Sequence, residues 1–250
     1  MISKCHGENS APKVEYGKDL GLNSLLRLGT AKYASSMKIA VVGATGPTGL
    51  EVVKQALERG HSVVAYVRRP EALMVSADLT VVAGQLADTQ SMAQAFTSCD
   101  VVLCTLGTRS FKERTFMSDH LPLVTKAMKQ AGVDRLVLMS ALGGGQLPGK
   151  VNWFSKRLFT FMSKYIFGDR TLSEQRLNQE GIKWSAAYPA FLTNGPKLKD
   201  ADVIDMENVI DVWGMQISRA TVASVLLDLA EDTKRPKRRV AVAAKGKVKH

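Results

Sequence analysis

The sequence predicts one α/β domain built on a doubly wound parallel sheet. Three observations carry this prediction. Short apolar runs of strand length recur along the chain, helical periodicity fills the intervals between them, and a glycine cluster stands between the first run and the first helix. A strand buried on both faces reads as an unbroken apolar run. Strands alternating with helices make βαβ units, whose strands lie parallel. The 250 residues suit a single domain, placed at 37–245, with an amino-terminal extension over 1–36 and a basic tail over 246–250. A chain of this length buries a sizeable core without covalent staples.

Ile39-Ala40-Val41-Val42 is the first buried run, and residues 48–59 follow with Leu50, Val53 and Leu57 at helical spacing. Val63–Val67 reads as the second strand, and Leu79–Val82, Val101–Thr105, Leu136–Met139 and Trp184–Ala187 continue the series. Helices are expected near 89–98, 117–131 and 170–180. Ser218 is placed as the N-cap of a last helix, with Val222, Val225, Leu226 and Leu229 on one face. Arg239–Ala244 is expected to close the sheet as a final edge strand. The stretch 143–169 opens on Gly143-Gly144-Gly145, then reads as helical and holds six of the sixteen aromatic residues. It is expected to pack on the sheet; a pocket wall is the second reading and a membrane-surface helix the third.

Charge and cysteine usage bound the partners. Of the net +11, residues 233–250 supply eight basic groups and no acid, while the other 232 residues carry 26 basic and 23 acidic groups. No aromatic interleaves Lys234-Arg235-Pro236-Lys237-Arg238-Arg239, so the basic segment is read as solvated and no nucleic-acid partner is expected. No apolar run approaches a membrane span. The three cysteines, Cys5, Cys99 and Cys104, show no pairing pattern, which suits a reducing compartment and a cytoplasmic protein. Cys104 reads as a small buried apolar residue. Import into an organelle through residues 1–36 stays open, although Glu8, Glu15 and Asp19 are unusual in a transit peptide.

The glycine cluster carries the chemistry. Gly43-Ala44-Thr45-Gly46-Pro47-Thr48-Gly49 follows a buried strand and opens a helix, the setting of a Rossmann-type dinucleotide site. In such a site Gly43 permits the tight turn, Gly46 lets the backbone approach a pyrophosphate, and Gly49 allows close packing of helix on strand. The helix start offers free N–H groups and the positive end of its dipole to phosphate. Thr45 and Thr48 add hydroxyls, and Pro47 costs little where its missing N–H is not needed. The second strand ends on Arg68-Arg69-Pro70. An NAD site has a carboxylate there for the ribose 2′-hydroxyl, whereas two guanidiniums suit a 2′-phosphate. NADPH is therefore the expected cofactor, a pair of solvated surface arginines being the plainer alternative.

These residues resemble the atypical short-chain dehydrogenase/reductases over roughly 37–245, above all the flavin reductase/biliverdin-IXβ reductase group and its NmrA-like relatives. The resemblance implies that Arg68 is the basic residue which that group carries after its second strand. Gly84-Gln85-Leu86 stands where the group has Gly-Asp-apolar beside adenine. Leu106-Gly107-Thr108-Arg109 resembles its cofactor-lining Leu-Gly-Thr-Arg. Ser140-Ala141 is similar to its Ser-Ala beside the nicotinamide. Tyr188-Pro189-Ala190-Phe191 replaces the Pro-containing segment that positions nicotinamide and substrate, with Ala190 or Phe191 where the flavin reductases carry His. Ile217-Ser218-Arg219 is also similar to the wider family.

Ordinary short-chain dehydrogenases protonate their substrate through Tyr-x-x-x-Lys, and none of the five tyrosines here has Lys four residues on. What remains is hydride transfer to an acceptor that takes its proton from water, such as a flavin, quinone or tetrapyrrole. Ser140 is the candidate catalytic residue, orienting substrate or nicotinamide; a strand-end hydroxyl bonded to backbone is its structural alternative. The four histidines have no ligand spacing, so no metal is expected. The expected partner is a small planar aromatic or conjugated substrate, and the chain is expected to act as a monomer. A different class of function stays open: an NmrA-like redox sensor, in which NADPH occupancy controls a partner with little turnover.

Overall fold

Strand β1 (Lys38–Val42) shows how the sheet is assembled. Ile39 and Val41 project into one core layer, Ala40 and Val42 into the other, because successive strand residues point to opposite faces. In this computed structural model the described residues are 36–74, 76–107, 115–142, 157, 168–189, 191–209 and 216–246. All of them fall within one compact unit, Ala34–His250.

After β1 come α1 (Pro47–Glu58), β2 (Ser62–Val67), β3 (Leu79–Ala83), α2 (Thr89–Phe96), β4 (Val101–Cys104), α3 (Phe116–Ala131) and β5 (Arg135–Met139). The second half adds α4 (Gly168–Gln179), β6 (Lys183–Pro189), β7 (Phe191–Thr193), β8 (Ala201–Asp205), β9 (Gln216–Ser218), α5 (Arg219–Glu231) and β10 (Arg239–Ala244). The eight-stranded sheet runs β3-β2-β1-β4-β5-β6-β10-β8, parallel throughout except for the last pair. Helices cover both faces. Val52, Val53 and Ala56 of α1 join Val222, Leu226 and Leu229 of α5 in one core. Met92 and Phe96 of α2, Leu121, Val124 and Met128 of α3 and Leu177 of α4 fill the other. This is the doubly wound Rossmann arrangement that the alternating pattern predicts.

Ser218 caps α5 as expected, accepting the Thr221 N–H at 3.2 Å. Arg239–Ala244 departs from expectation. It is not an edge strand: it lies between β6 on one side and β8 on the other. Its run Val240-Ala241-Val242-Ala243 is fully buried, as an interior strand should be. The edge falls to antiparallel β8, whose sequence Ala-Asp-Val-Ile-Asp is only half-buried and carries acids, features of a protected edge. A small parallel pair, β7 with β9, completes the strands. The aromatic stretch 143–169 lies outside the described residues apart from Arg157, Gly168 and Asp169.

The registers set the geometry of the site. Val42 is level with Tyr66 and Cys104, Cys104 with Leu138, and Met139 with Ala187. The carboxyl ends of β2, β1, β4, β5 and β6 therefore finish along one edge. The chain leaves β1 toward β2 on one side, while β4 pairs on the other. A crevice at such a switch point is where open α/β sheets bind ligands.

Candidate functional site

The crevice is built around the glycine turn. Gly43 has φ of +86°, a conformation that side chains disfavour. A Cβ there would also stand 2.9 Å from Thr105 Oγ1. Thr105, which follows β4, locks this turn: its N–H donates to Val42 O at 2.9 Å and its hydroxyl donates to Gly43 O at 3.1 Å. Gly46 N–H donates to the same Gly43 carbonyl at 3.0 Å. A Cβ on Gly49 would fall 2.1 Å from Gly43 O, so helix and strand come as close as glycine alone allows. Gly46 is the N-cap of α1 and Pro47 its first residue; no side chain caps this end and its first turn holds no acid. Its positive end is thus left for an anion. Thr45 is partly exposed, and Thr48 is buried.

The remaining residues singled out from the sequence lie along the same edge. Arg68 and Arg69 are exposed at the end of β2. Gln85 and Leu86 form the turn after β3, and Tyr66 pins it by donating its hydroxyl to Gln85 O at 3.0 Å. Leu106 and Gly107 follow β4, the first partly buried and the second exposed. Ser140 and Ala141 follow β5, and Ser140 N–H donates to Ala187 O of β6 at 2.9 Å. Pro189 is buried at the end of β6, while Phe191, just beyond, is 73% exposed. Thr108, Arg109 and Ala190 lie outside the described residues.

A second constellation, not foreseen from the sequence, stands behind the ends of β4, β5 and β6. Glu174 of α4 is 4% exposed. Its Oε1 accepts from the Ser140 hydroxyl at 2.5 Å, and its Oε2 accepts from the Tyr188 hydroxyl at 2.6 Å. One turn earlier, Arg170 donates to Met139 O at 3.1 Å. A side-chain carbon on Gly107 would lie 3.2 Å from Arg170 Nη2. Burial raises the Glu174 carboxyl above the usual carboxylate range, against the hydrogen bonds from Ser140 and Tyr188 and the Arg170 charge. Burial and the adjacent Glu174 raise the Tyr188 phenol. The Cys104 thiol, fully buried, is pushed up to about 11.

The signal for this cluster was present in the spacing. Arg170, Glu174 and Leu177 recur on one side of a helix, and an acid level with a buried leucine is the anomaly to notice. Asp169, just before Arg170, serves the structure instead. Its carboxylate accepts from Met117 N–H at 2.6 Å and from Ser118 N–H at 2.7 Å, capping α3. His120 is engaged within α3, with Nδ1 2.8 Å from Phe116 O and its ring stacked on Phe116. Among the described residues no helix is long and apolar enough to cross a membrane.

Comparison with known proteins fits this geometry. The family described as NAD(P)H-binding matches residues 43–233. An uncharacterized chloroplastic protein of Arabidopsis thaliana is 27% identical over 214 residues, covering 76% of this chain and 71% of that one. A photosystem II assembly factor of Synechocystis sp. is 30% identical over 118 residues, 45% of this chain; the match spans only 36% of that protein's length. Among solved structures, a candidate NADH-flavin reductase of Streptococcus pneumoniae superposes with a TM-score of 0.69 at 21% identity, over 84% of this chain and 100% of that one. An anaerobillin reductase of Escherichia coli O157:H7 superposes with a TM-score of 0.66 at 21% identity, over 84% and 98%. These two likenesses show the shared Rossmann fold.

Proposed function

We propose that this chain, which belongs to the NAD(P)H-binding family, is an NADPH-dependent oxidoreductase acting on a small planar conjugated acceptor such as a flavin, quinone or tetrapyrrole. The observation that carries the reading is the uncapped, acid-free start of α1 behind the Gly43 turn, at the switch point between β1 and β4. The residues present fit a dinucleotide. The backbone at Gly43 and Gly49 leaves no space for side chains and that at Gly46 is tight, and the N–H groups opening α1 are the ones to meet a pyrophosphate. Arg68 and Arg69 are the groups to grip a 2′-phosphate. Gln85 and Leu86 take the adenine side. Leu106, Gly107, Thr108, Ser140, Ala141, Pro189, Ala190 and Phe191 take the nicotinamide side, with Ser140 as the residue nearest the chemistry. Neighbouring strands lie about 4.8 Å apart, so Ser140, two strands from Gly43, stands about 10 Å along the crevice. When bound, NADPH supplies the hydride; the chain supplies position and the exclusion of water. The names of the Streptococcus and Escherichia coli neighbours support the choice of acceptor class.

A second reading, an NADP-binding redox sensor with little turnover, draws support from one feature. The Ser140 and Tyr188 hydroxyls both donate to Glu174, so neither proton is free to reach a substrate. Titration of the protein with NADPH and NADH, followed by NADPH oxidation in the presence of FMN and of a quinone, separates the readings. Binding with turnover supports the reductase. Binding without turnover supports the sensor, and absence of binding overturns both.

We take the nucleotide-binding domain to span 37–245, as a monomer. For the compartment, the free Cys99 and Cys104 support the cytoplasm and the chloroplastic Arabidopsis relative supports an organelle. A fluorescent reporter fused behind residues 1–36 distinguishes them.

A further inference from the structure

We infer that Glu174 is a positioning residue for the nicotinamide end of the cofactor, acting through Ser140. The inference rests on the dinucleotide reading and adds to it a residue and a polarity. Glu174 reaches two strand ends at once, taking Ser140 after β5 on Oε1 and Tyr188 of β6 on Oε2. An ionised carboxylate only accepts, and a serine hydroxyl has a single proton to give. With that proton committed to Glu174, the serine oxygen has only lone pairs left. Whatever meets it from the crevice must donate. The carboxamide NH2 of a nicotinamide is such a donor, and a carbonyl or phosphate oxygen is not.

Arg170 makes the carboxylate tenable at this depth. It shares the buried side of α4 with Glu174, and its charge favours the ionised form. It also holds the strand end and loop that bound the crevice, through Met139 O at the end of β5 and by its closeness to Gly107 after β4. The cluster is hard to explain by stability alone. A buried charge commonly stabilises no more than well-packed apolar groups of the same volume, and two strand-end hydroxyls can bond to backbone at no such cost.

The test uses two ligands that share the adenine half and differ at the nicotinamide: NADPH and adenosine 2′,5′-bisphosphate. In Glu174→Gln an NH2, which only donates, replaces one of the two accepting oxygens, so the side chain cannot take one hydroxyl proton on each of its terminal atoms. Dissociation constants by calorimetry are expected to rise about tenfold for NADPH, the scale of one hydrogen bond, and to stay unchanged for the bisphosphate. Ser140→Ala, a smaller change, is expected to show the same selective loss, and the double variant no further loss. A loss shared equally by the two ligands, or NADPH affinity retained in Ser140→Ala, overturns the inference while leaving the dinucleotide reading intact. A wild-type protein that binds neither ligand overturns the reading on which the inference stands.

Discussion

The Tyr188 hydroxyl donates to Glu174 Oε2 at 2.6 Å in the interior of the protein. The bond ties the last residues of β6 to α4 and leaves the carboxylate with a partner on each oxygen. Removing the phenolic oxygen in Tyr188→Phe keeps the ring but strands one carboxylate oxygen away from water. The expected cost is about 1–3 kcal/mol, read as a lower urea midpoint with an unchanged slope.

Two buried or part-buried carboxylates pull the pH dependence of stability in opposite directions. Glu174 is raised by burial. Its contribution is present below the ordinary carboxylate value, about 4.3, and is lost as pH rises through the raised folded value. At Glu231, burial alone would raise the carboxyl, but hydrogen bonds from His61 and Arg59 outweigh it and hold the group low. The imidazole accepts Met37 N–H at Nδ1, so its Nε2 donates to Glu231 at 3.0 Å. The Glu231 contribution is therefore present above the ordinary value and lost as pH falls through the depressed one. Unfolding midpoints followed from pH 3 to 8 are expected to show Glu231→Gln flattening the acid limb and Glu174→Gln flattening the decline on the alkaline side. Parallel profiles for the two variants would refute the assignment.

Cofactor choice rests on the end of β2. Arg68→Glu replaces a guanidinium by a group that repels a 2′-phosphate. NADPH affinity is expected to fall about 10- to 100-fold, the scale of charge-assisted hydrogen bonds, with NADH affinity unchanged or improved. Paired fluorescence titrations of the two nucleotides provide the check.

The glycine turn has its own steric test. In Gly49→Ala the added carbon meets the Gly43 carbonyl oxygen at 2.1 Å and Ala44 Cα at 2.8 Å, both backbone atoms with little room to move. Overpacking of this kind costs about 1–3 kcal/mol, which lowers the thermal midpoint by several degrees in a domain of this size. Nucleotide affinity should fall with it, because the same contact sets where α1 begins. Gly60→Ala is a poor control, since φ there is +79°. Lys54→Ala, exposed on α1, is the suitable one and should leave both quantities unchanged.

Much of this molecule could be read along the chain because its causes are local. Ile39–Val42 and Val101–Cys104 announce strands buried on both faces by their unbroken apolar runs. Gly43, Gly46 and Gly49 announce the turn by their spacing between a strand and a helix, and the Cβ that Gly49 lacks would meet the turn's own Gly43 carbonyl. Ser218 announces its helix through a bond spanning three residues. Other features depend on which segments meet. Arg239–Ala244 displays a buried run whether or not another strand covers it, and only its pairing with Ala201–Asp205 places it inside the sheet. Thr105 locks Gly43 across 62 residues of chain, and Glu174 finds Ser140 across 34. Periodicity reports which face a segment hides and is silent about the partner it hides against. A buried acid looks like any helical glutamate until the strands on which its helix packs bring two hydroxyls to its oxygens.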